Sequence, residues 1–397
     1  MYKIKWPIWP KFTKLEQNLV KKVVKSQRLY AGPYVEKFEK QFKKFTNSSY
    51  SIAVGNATQG LHLALASLNV GEGDEVITTP FSFISTASCI LMQNAVPVFV
   101  DCSEKTLSPN VDQIKSKITK YTKAIILVHP FGYPCEIDKI SKLAKKNNIK
   151  LIEDASHAHG MFLKGIHAGN FGDIGVFSLH QRKSLCVGDG GIIVTKNKSI
   201  ERKIRKLRSF GHNELSYNYR MTEFAGILGI NRLKNLTKEN RIRIQNAKMI
   251  YNFFKGHKII KPLIPLKNSA PCYHKFLIRL KIDNLNCSSL KFSNQVQKFG
   301  IPLKKVNTNK NWDLLHRHSH FNPQKIPARG LPWLNKNYNG KMKSIKFYKN
   351  LKFPIIENII DNELLEFPID PIINKKNILK ACKIIDLISK KHVYENN

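Results

Sequence analysis

The chain has 397 residues, room for one large domain and a smaller one, and its 42% hydrophobic content is that of a globular protein. No apolar run reaches the roughly eighteen residues of a membrane span, and Met1-Tyr2-Lys3-Ile4-Lys5-Trp6-Pro7 lacks the apolar stretch and cleavage site of a signal peptide, so a cytoplasmic protein with no membrane partner is expected. The formal net charge of +38 comes from lysines spread along the whole chain, not gathered in one basic arm, which argues against a nucleic-acid partner and leaves a general attraction for phosphorylated small molecules.

Leu15, Leu19, Val20, Val23 and Val24 recur at helical spacing and predict a helix over 14–26. Tyr30-Ala31-Gly32-Pro33 turns the chain, and Phe38, Phe42 and Phe45 give a second helix, over 35–45, one apolar face. From Tyr50 onward strands and helices alternate. Strands are predicted at 51–54, 75–78, 96–100, 124–128 and 150–153, and helices at 58–68, 85–92, 111–118 and 137–147. That alternation implies a three-layer α/β domain with a mostly parallel central sheet, and functional residues of such sheets lie at the carboxyl ends of strands. Strands 174–177 and 192–194, a helix over 200–210 and a long helix over 223–254 follow. The pattern then loosens. A strand at 273–280, a helix at 290–299, a strand at 365–369 and a helix at 378–388 form a smaller α/β unit around a polar stretch, 307–343, that reads as pocket loops. The expected division is 1–260 for a large domain with an N-terminal helical segment, and 261–397 for a small one. The 7 cysteines stand singly, with no Cys-x-x-Cys pair, as reduced thiols do.

Several strand ends carry candidates with two readings. Gly55-Asn56-Ala57-Thr58-Gln59-Gly60 enters a helix, and either builds an anion site from free N–H groups and the helix dipole or only caps the helix through Asn56 or Thr58. Phe81 and Phe83 belong to the core or stack on a flat ligand. Asp154 either caps the next turn or sits at the functional edge, where it can pair with a protonated ring nitrogen. His157 and His159 lack a further ligand at metal spacing, and His316, His318 and His320 read as loop histidines, so no metal site is expected. The stretch after strand 174–177 is the most distinctive. Ser178 leads into polar residues around Lys183, and Gly188-Asp189-Gly190-Gly191 leads into the next strand. Such a lysine is either a surface loop residue or an amine held at a fixed point in a cleft, as a lysine that bonds a carbonyl must be.

In joint order and spacing these segments resemble the DegT family of sugar aminotransferases, pyridoxal-phosphate enzymes of the aspartate-aminotransferase fold, fold type I. The resemblance runs from about Trp6 to the last helix. Gly32-Pro33-Tyr34-Val35-Glu36-Lys37-Phe38-Glu39 is similar to the family's opening, and Asn56-Ala57-Thr58-Gln59 to its Gly-Thr phosphate loop, with Ala57 where glycine is usual. Gly188-Asp189-Gly190-Gly191 matches Gly-Glu-Gly-Gly with Asp189 for glutamate. What the resemblance implies is a set of roles: Lys183 links covalently to the cofactor aldehyde and then moves the proton; Ala57, Thr58 and Ser178 hold the phosphate; Phe83 stacks on the pyridine ring; Asp154 pairs with its nitrogen; His157 lies near its hydroxyl; Asn218 reaches the phosphate of a neighbouring subunit. A homodimer with shared sites follows from the last. Arg182, beside the lysine, is unusual for the family and faces either a substrate anion or away from the cleft.

The implied reaction moves an amino group from glutamate or glutamine to a keto sugar, in most relatives a nucleotide-linked one, in amino-sugar, cell-surface polysaccharide or secondary-metabolite biosynthesis. Trp6-Pro7, Ala158-His159-Gly160 and Leu331-Pro332-Trp333 lean toward an inosose-type aminocyclitol branch. A pyridoxal-dependent sugar dehydratase would carry histidine in place of Lys183. A non-catalytic basic binding protein on the same fold is the remaining alternative.

Overall fold

The computed structural model describes residues 3–211, 214–306, 313–318, 348 and 350–393. Leu331-Pro332-Trp333, His320 and most of the stretch 307–343 lie outside these residues. The chain begins with α1 (Lys14–Lys25) and α2 (Pro33–Thr46). Thr13 and Glu16 start α1 as a capping box, each side chain taking the other's backbone N–H. Gly32 and Pro33 start α2, and Asn47 ends it in the left-handed conformation at φ 56°. Phe38 and Phe42 on α2 are fully buried, each contributing roughly 1.5–3 kcal/mol by removal from water.

The alternating region follows as β1 (Tyr50–Val54), α3 (Ala57–Ser67), β2 (Glu75–Thr78), α4 (Ser85–Met92), β3 (Val96–Phe99), α5 (Val111–Lys117), β4 (Thr122–Val128), α6 (Ile137–Lys146) and β5 (Lys150–Asp154). A short hairpin, β6 (Phe162–Leu163) and β7 (Ile166–His167), precedes β8 (Ile174–Ser178), β9 (Gly191–Thr195), α7 (Lys198–Arg208) and the 31-residue α8 (Glu223–Phe253). The large sheet has the order β1-β9-β8-β5-β4-β2-β3. Strands β8, β5, β4, β2 and β3 run parallel, and β9 alone is antiparallel to its neighbours. Its strands are almost wholly buried, as near-continuous runs of Val, Ile and Leu under helices on both faces require.

A second sheet joins β10 (Ile260–Pro262), β12 (Phe276–Leu280), β14 (Leu364–Phe367) and β13 (Lys304–Lys305) in that order, antiparallel throughout, with α9 (Ser289–Gln297) and the helix Lys375–Lys390 against it. The two-residue strand β11 (Ser269–Ala270) extends the β6–β7 hairpin into a third sheet. The hairpin, β10, β11 and β13 were not expected from the sequence, because two- or three-residue strands carry no usable alternation. A single apolar cluster, from Ile77 and Leu127 to Phe276 and Leu365, binds the small sheet to the large one. Ile4 donates its N–H to the Phe299 carbonyl at 2.8 Å and Trp6 packs 5.5 Å from Phe367, so the N-terminus crosses the small sheet before it reaches α1.

Candidate active site

Most of the candidate site lies at the ends of strands of the large sheet. After β1, Asn56 caps α3 by accepting the Gln59 N–H at 2.9 Å, which leaves the first-turn N–H groups of Ala57 and Thr58 facing a cleft. The Thr58 hydroxyl bonds that of Ser85 at 2.7 Å. Gly191, opening β9, runs hard against this turn. A Cβ there would lie 2.6 Å from the Asn56 carbonyl carbon and 2.8 Å from the Ala57 nitrogen, so only glycine lets the strand approach.

After β2 the chain passes Phe81, Ser82 and Phe83 into α4. Asp154, the last residue of β5, is 5% exposed. Its Oδ1 accepts the Ser156 N–H at 3.2 Å and its Oδ2 accepts the Thr86 hydroxyl at 2.9 Å. The aspartate therefore caps its own turn and also lines the cleft. Ser82 bonds Thr86 in turn at 2.7 Å.

His157, one turn further, is buried, and its Nδ1 accepts the Phe131 N–H at 3.2 Å, so a neutral ring carries its proton on Nε2. It stacks on His274, with ring centres 4.5 Å apart and planes 17° from parallel. Burial, then the positive charge of Lys183, pushes the His157 pKa well below the usual histidine value. Burial and His157 do the same to His274. Two stacked imidazoles thus stay neutral at physiological pH.

Ser178 ends β8 and accepts the His180 N–H at 3.4 Å. The chain then loops out before β9. Leu179 and Gly190 pair at 2.8 Å, Gln181 donates to the Gly188 carbonyl at 2.7 Å and Lys183 to the His180 carbonyl at 2.8 Å. Gly188, at φ +100°, makes the reversal. Burial brings the Lys183 amine down to about 8, with Asp154 opposing and Lys275 adding to the shift. An amine so placed has a much larger unprotonated share near neutral pH than an ordinary lysine, and the free amine can attack a carbonyl.

Ala57, Thr58, Phe83, Asp154, His157, Ser178 and Lys183 all line one cleft of about 850 Å³. Asn218 does not line it. It is exposed, bridged to Ser209, with its Oδ1 accepting from Arg220 at 3.0 Å. Arg182 does face the cleft, with an exposed side chain. His159 is buried behind the cleft, 5.5 Å from Phe177, and no metal-binding cluster occurs among the described residues. His316 pairs with Glu357 at 3.1 Å.

Several residues of the site escaped the sequence. Thr86, the second residue of α4, stands behind the lining and carries a visible hydroxyl, but nothing in the sequence ties it to an aspartate 68 positions away. His274, Lys275, Lys304 and Glu366 come from the small sheet and its lead-in. Register places Lys304 and Glu366 directly opposite each other. Burial raises the Glu366 pKa against the pull of Lys275, Lys304 and Arg182. Trp9 enters from the N-terminal segment.

The residues present fit a phosphorylated pyridine aldehyde. An amine of lowered pKa faces a carboxylate, and a helix start with free N–H groups opens on the same cleft. The model of the DegT/DnrJ/EryC1/StrS aminotransferase family matches residues 10–361. A Methanocaldococcus jannaschii protein, MJ1066, is 33% identical over 98% of both chains. GDP-perosamine synthases of Escherichia coli and Vibrio cholerae are 34% identical over 63% and 62% of this chain and 72% and 68% of theirs. The structure of an aminotransferase from Psychrobacter cryohalolentis superposes with a TM-score of 0.86 at 26% identity, covering 98% of this chain and 99% of that one.

Proposed function

Because the chain belongs to the DegT/DnrJ/EryC1/StrS aminotransferase family, whose members are pyridoxal-phosphate enzymes, we propose that it moves an amino group from glutamate or glutamine to the keto group of a nucleotide-linked sugar. The observation that carries this reading is the convergence of Lys183, Asp154 and the start of α3 on one cleft. The sugar rests on likeness to the GDP-perosamine synthases.

When bound, the cofactor supplies the electron sink. Each residue then has a task. The N–H groups at Ala57 and Thr58 and the Ser178 hydroxyl would hold the phosphate, Phe83 would cover the ring, and Asp154 would keep the ring nitrogen protonated. Thr86 holds the Asp154 carboxylate in place. His157, neutral, would lie near the ring hydroxyl. Lys183 would hold the cofactor through its aldehyde carbon, and its amine, when free, would carry the proton at the substrate carbon. Residues 1–260 carry these groups, and 261–397 close the cleft with Lys275, Lys304 and Glu366.

Asn218 belongs to the other half of the proposal. Exposed and outside its own cleft, it serves the phosphate of a second copy, which makes the active unit a homodimer. Asn218→Ala should weaken cofactor affinity about ten- to a hundredfold, for a hydrogen bond to a charged group worth roughly 1.5–3 kcal/mol. Mixing inactive Lys183→Ala and Asn218→Asp subunits should restore about half the activity of one wild-type dimer; no recovery where subunits demonstrably exchange would remove the shared site. The substrate is tested by product analysis with a panel of nucleotide-linked keto sugars and inososes, each with glutamate and glutamine. Amination of inososes alone would move the enzyme to the aminocyclitol branch.

A further inference from the structure

We infer that Trp9 is a positioning residue for Lys183, so that the segment before α1 is part of the active site. The deduction rests on Lys183 being the reactive lysine.

The loop between β8 and β9 is irregular, and the Lys183 carbonyl finds its acceptor duty filled from far away in sequence. The Trp9 indole N–H donates to it at 3.3 Å across 174 positions. Trp9 also lines the cleft. A lysine that must swing between bonded and free states needs a mobile side chain on a fixed peptide, and this bond fixes the peptide.

What fixes Trp9 is a relay on the opposite side. Two guanidinium groups of α8, those of Arg243 and Arg232, lie 5.2 and 5.5 Å from the centre of the indole. They stand eleven positions apart, three helical turns, and so share a face of α8. Arg243 is fully buried, with Nη1 on Asn240 at 3.0 Å. Arg232 also lies 4.8 Å from the Phe12 ring, donates to the Lys11 carbonyl at 2.9 Å, and pairs through Nε with Glu16 at 2.5 Å. Glu16 is the capping-box residue of α1. Its other oxygen takes the Thr13 N–H at 2.7 Å and hydroxyl at 2.9 Å. One buried carboxylate therefore starts α1 and holds the arginine on which Trp9 rests. The line Glu16, Arg232, Trp9, Lys183 joins the N-terminal helix to the reactive loop.

The test uses Trp9→Phe, which keeps an aromatic ring beside the arginines and removes the N–H donor. Amide hydrogen exchange on the full chain without cofactor reads the loop directly. Peptides spanning 179–190 should exchange about two- to tenfold faster, the effect of one lost hydrogen bond, while those from β4 and β5 stay unchanged. Glu16→Gln, acting three contacts away from the loop, should speed exchange in the same peptides by a smaller factor. With cofactor bound, Trp9→Phe should shift the pH at which the visible absorbance changes and lower kcat more than it raises KM. Unchanged exchange over 179–190 in Trp9→Phe overturns the inference, as does faster exchange spread evenly over β4, β5 and the loop. Absence of any covalent cofactor link to Lys183 in the wild-type protein would instead defeat the functional reading, and the exchange result would still decide whether Trp9 holds the loop.

Discussion

The two larger sheets serve the same cleft in different ways. The seven-stranded sheet is covered on both faces, so its side chains meet only core, and it can present chemistry solely where strands stop. Asp154 and Ser178 are each the last residue of a strand. The four-stranded sheet is antiparallel, and its register brings a lysine and a glutamate side by side on the cleft wall. A strand end delivers one side chain with its backbone committed to the sheet, which suits groups that must hold a cofactor without drift. A sheet wall offers side chains with more freedom, which suits recognition of a variable substrate.

If that division is right, the largest effects belong to the large sheet. Lys183→Ala removes both the covalent link and the proton carrier, and amino transfer should fall about 10²- to 10⁴-fold or more. Borohydride reduction and peptide mapping of the wild-type protein should place the label on Lys183, and a label on another lysine would break the assignment. Asp154→Asn comes next. With the charge-assisted bond to the ring nitrogen lost, the half-reaction with donor amino acid should slow by about two orders of magnitude. Thr86→Val should slow the same step by about tenfold, since one hydrogen bond to the carboxylate goes. Wild-type rates in Asp154→Asn would leave Asp154 only a structural part, through its bonds with Ser156 and Thr86.

Smaller effects should mark the small sheet. Glu366→Gln is expected to raise KM for the sugar acceptor about three- to tenfold through one weakened hydrogen bond, with visible absorbance and the donor half-reaction unchanged. An altered cofactor spectrum in that variant would erase the distinction between the two sheets.

The smallest effect tests the place where the two regions touch, the His157–His274 stack. Both folded pKa values lie below 6.5, so the unfolded chain binds more protons as the pH drops past that value. Their share of stability is complete above about pH 6.5 and is lost as the pH falls below it, by roughly 1 kcal/mol for each histidine per pH unit. Urea unfolding at pH 8, 6.5 and 5.5 measures this, and His274→Asn should flatten the profile. Lys183 works in another window. Its lowered pKa costs stability below about 8 and the cost is relieved toward 10.5, so Lys183→Met should stabilise the cofactor-free protein at neutral pH.

Local chemistry was enough to determine the large sheet and its helices from the sequence. Runs such as Ala124-Ile125-Ile126-Leu127-Val128, short and set between helical stretches, read as buried strands, and β1, β2, β4, β5 and β8 each end at or shortly before a residue that lines the cleft. The same kind of pattern, a polar break between two apolar strands and a glycine reversal, marked the loop that carries Lys183, but only the resemblance to the DegT family singled out the lysine itself. Tertiary structure alone decided what meets that loop. Thr86 reaches Asp154, and Trp9 reaches Lys183, because the elements that carry them pack together, and no local pattern encodes that contact. In the small sheet β12 and β14 were legible, but β10 and β13 stayed hidden, because strands of two or three residues are held by register with β12 and β14 rather than by their own alternation. Lys304, Glu366 and the stacked His274 could be placed only once those neighbours were in position.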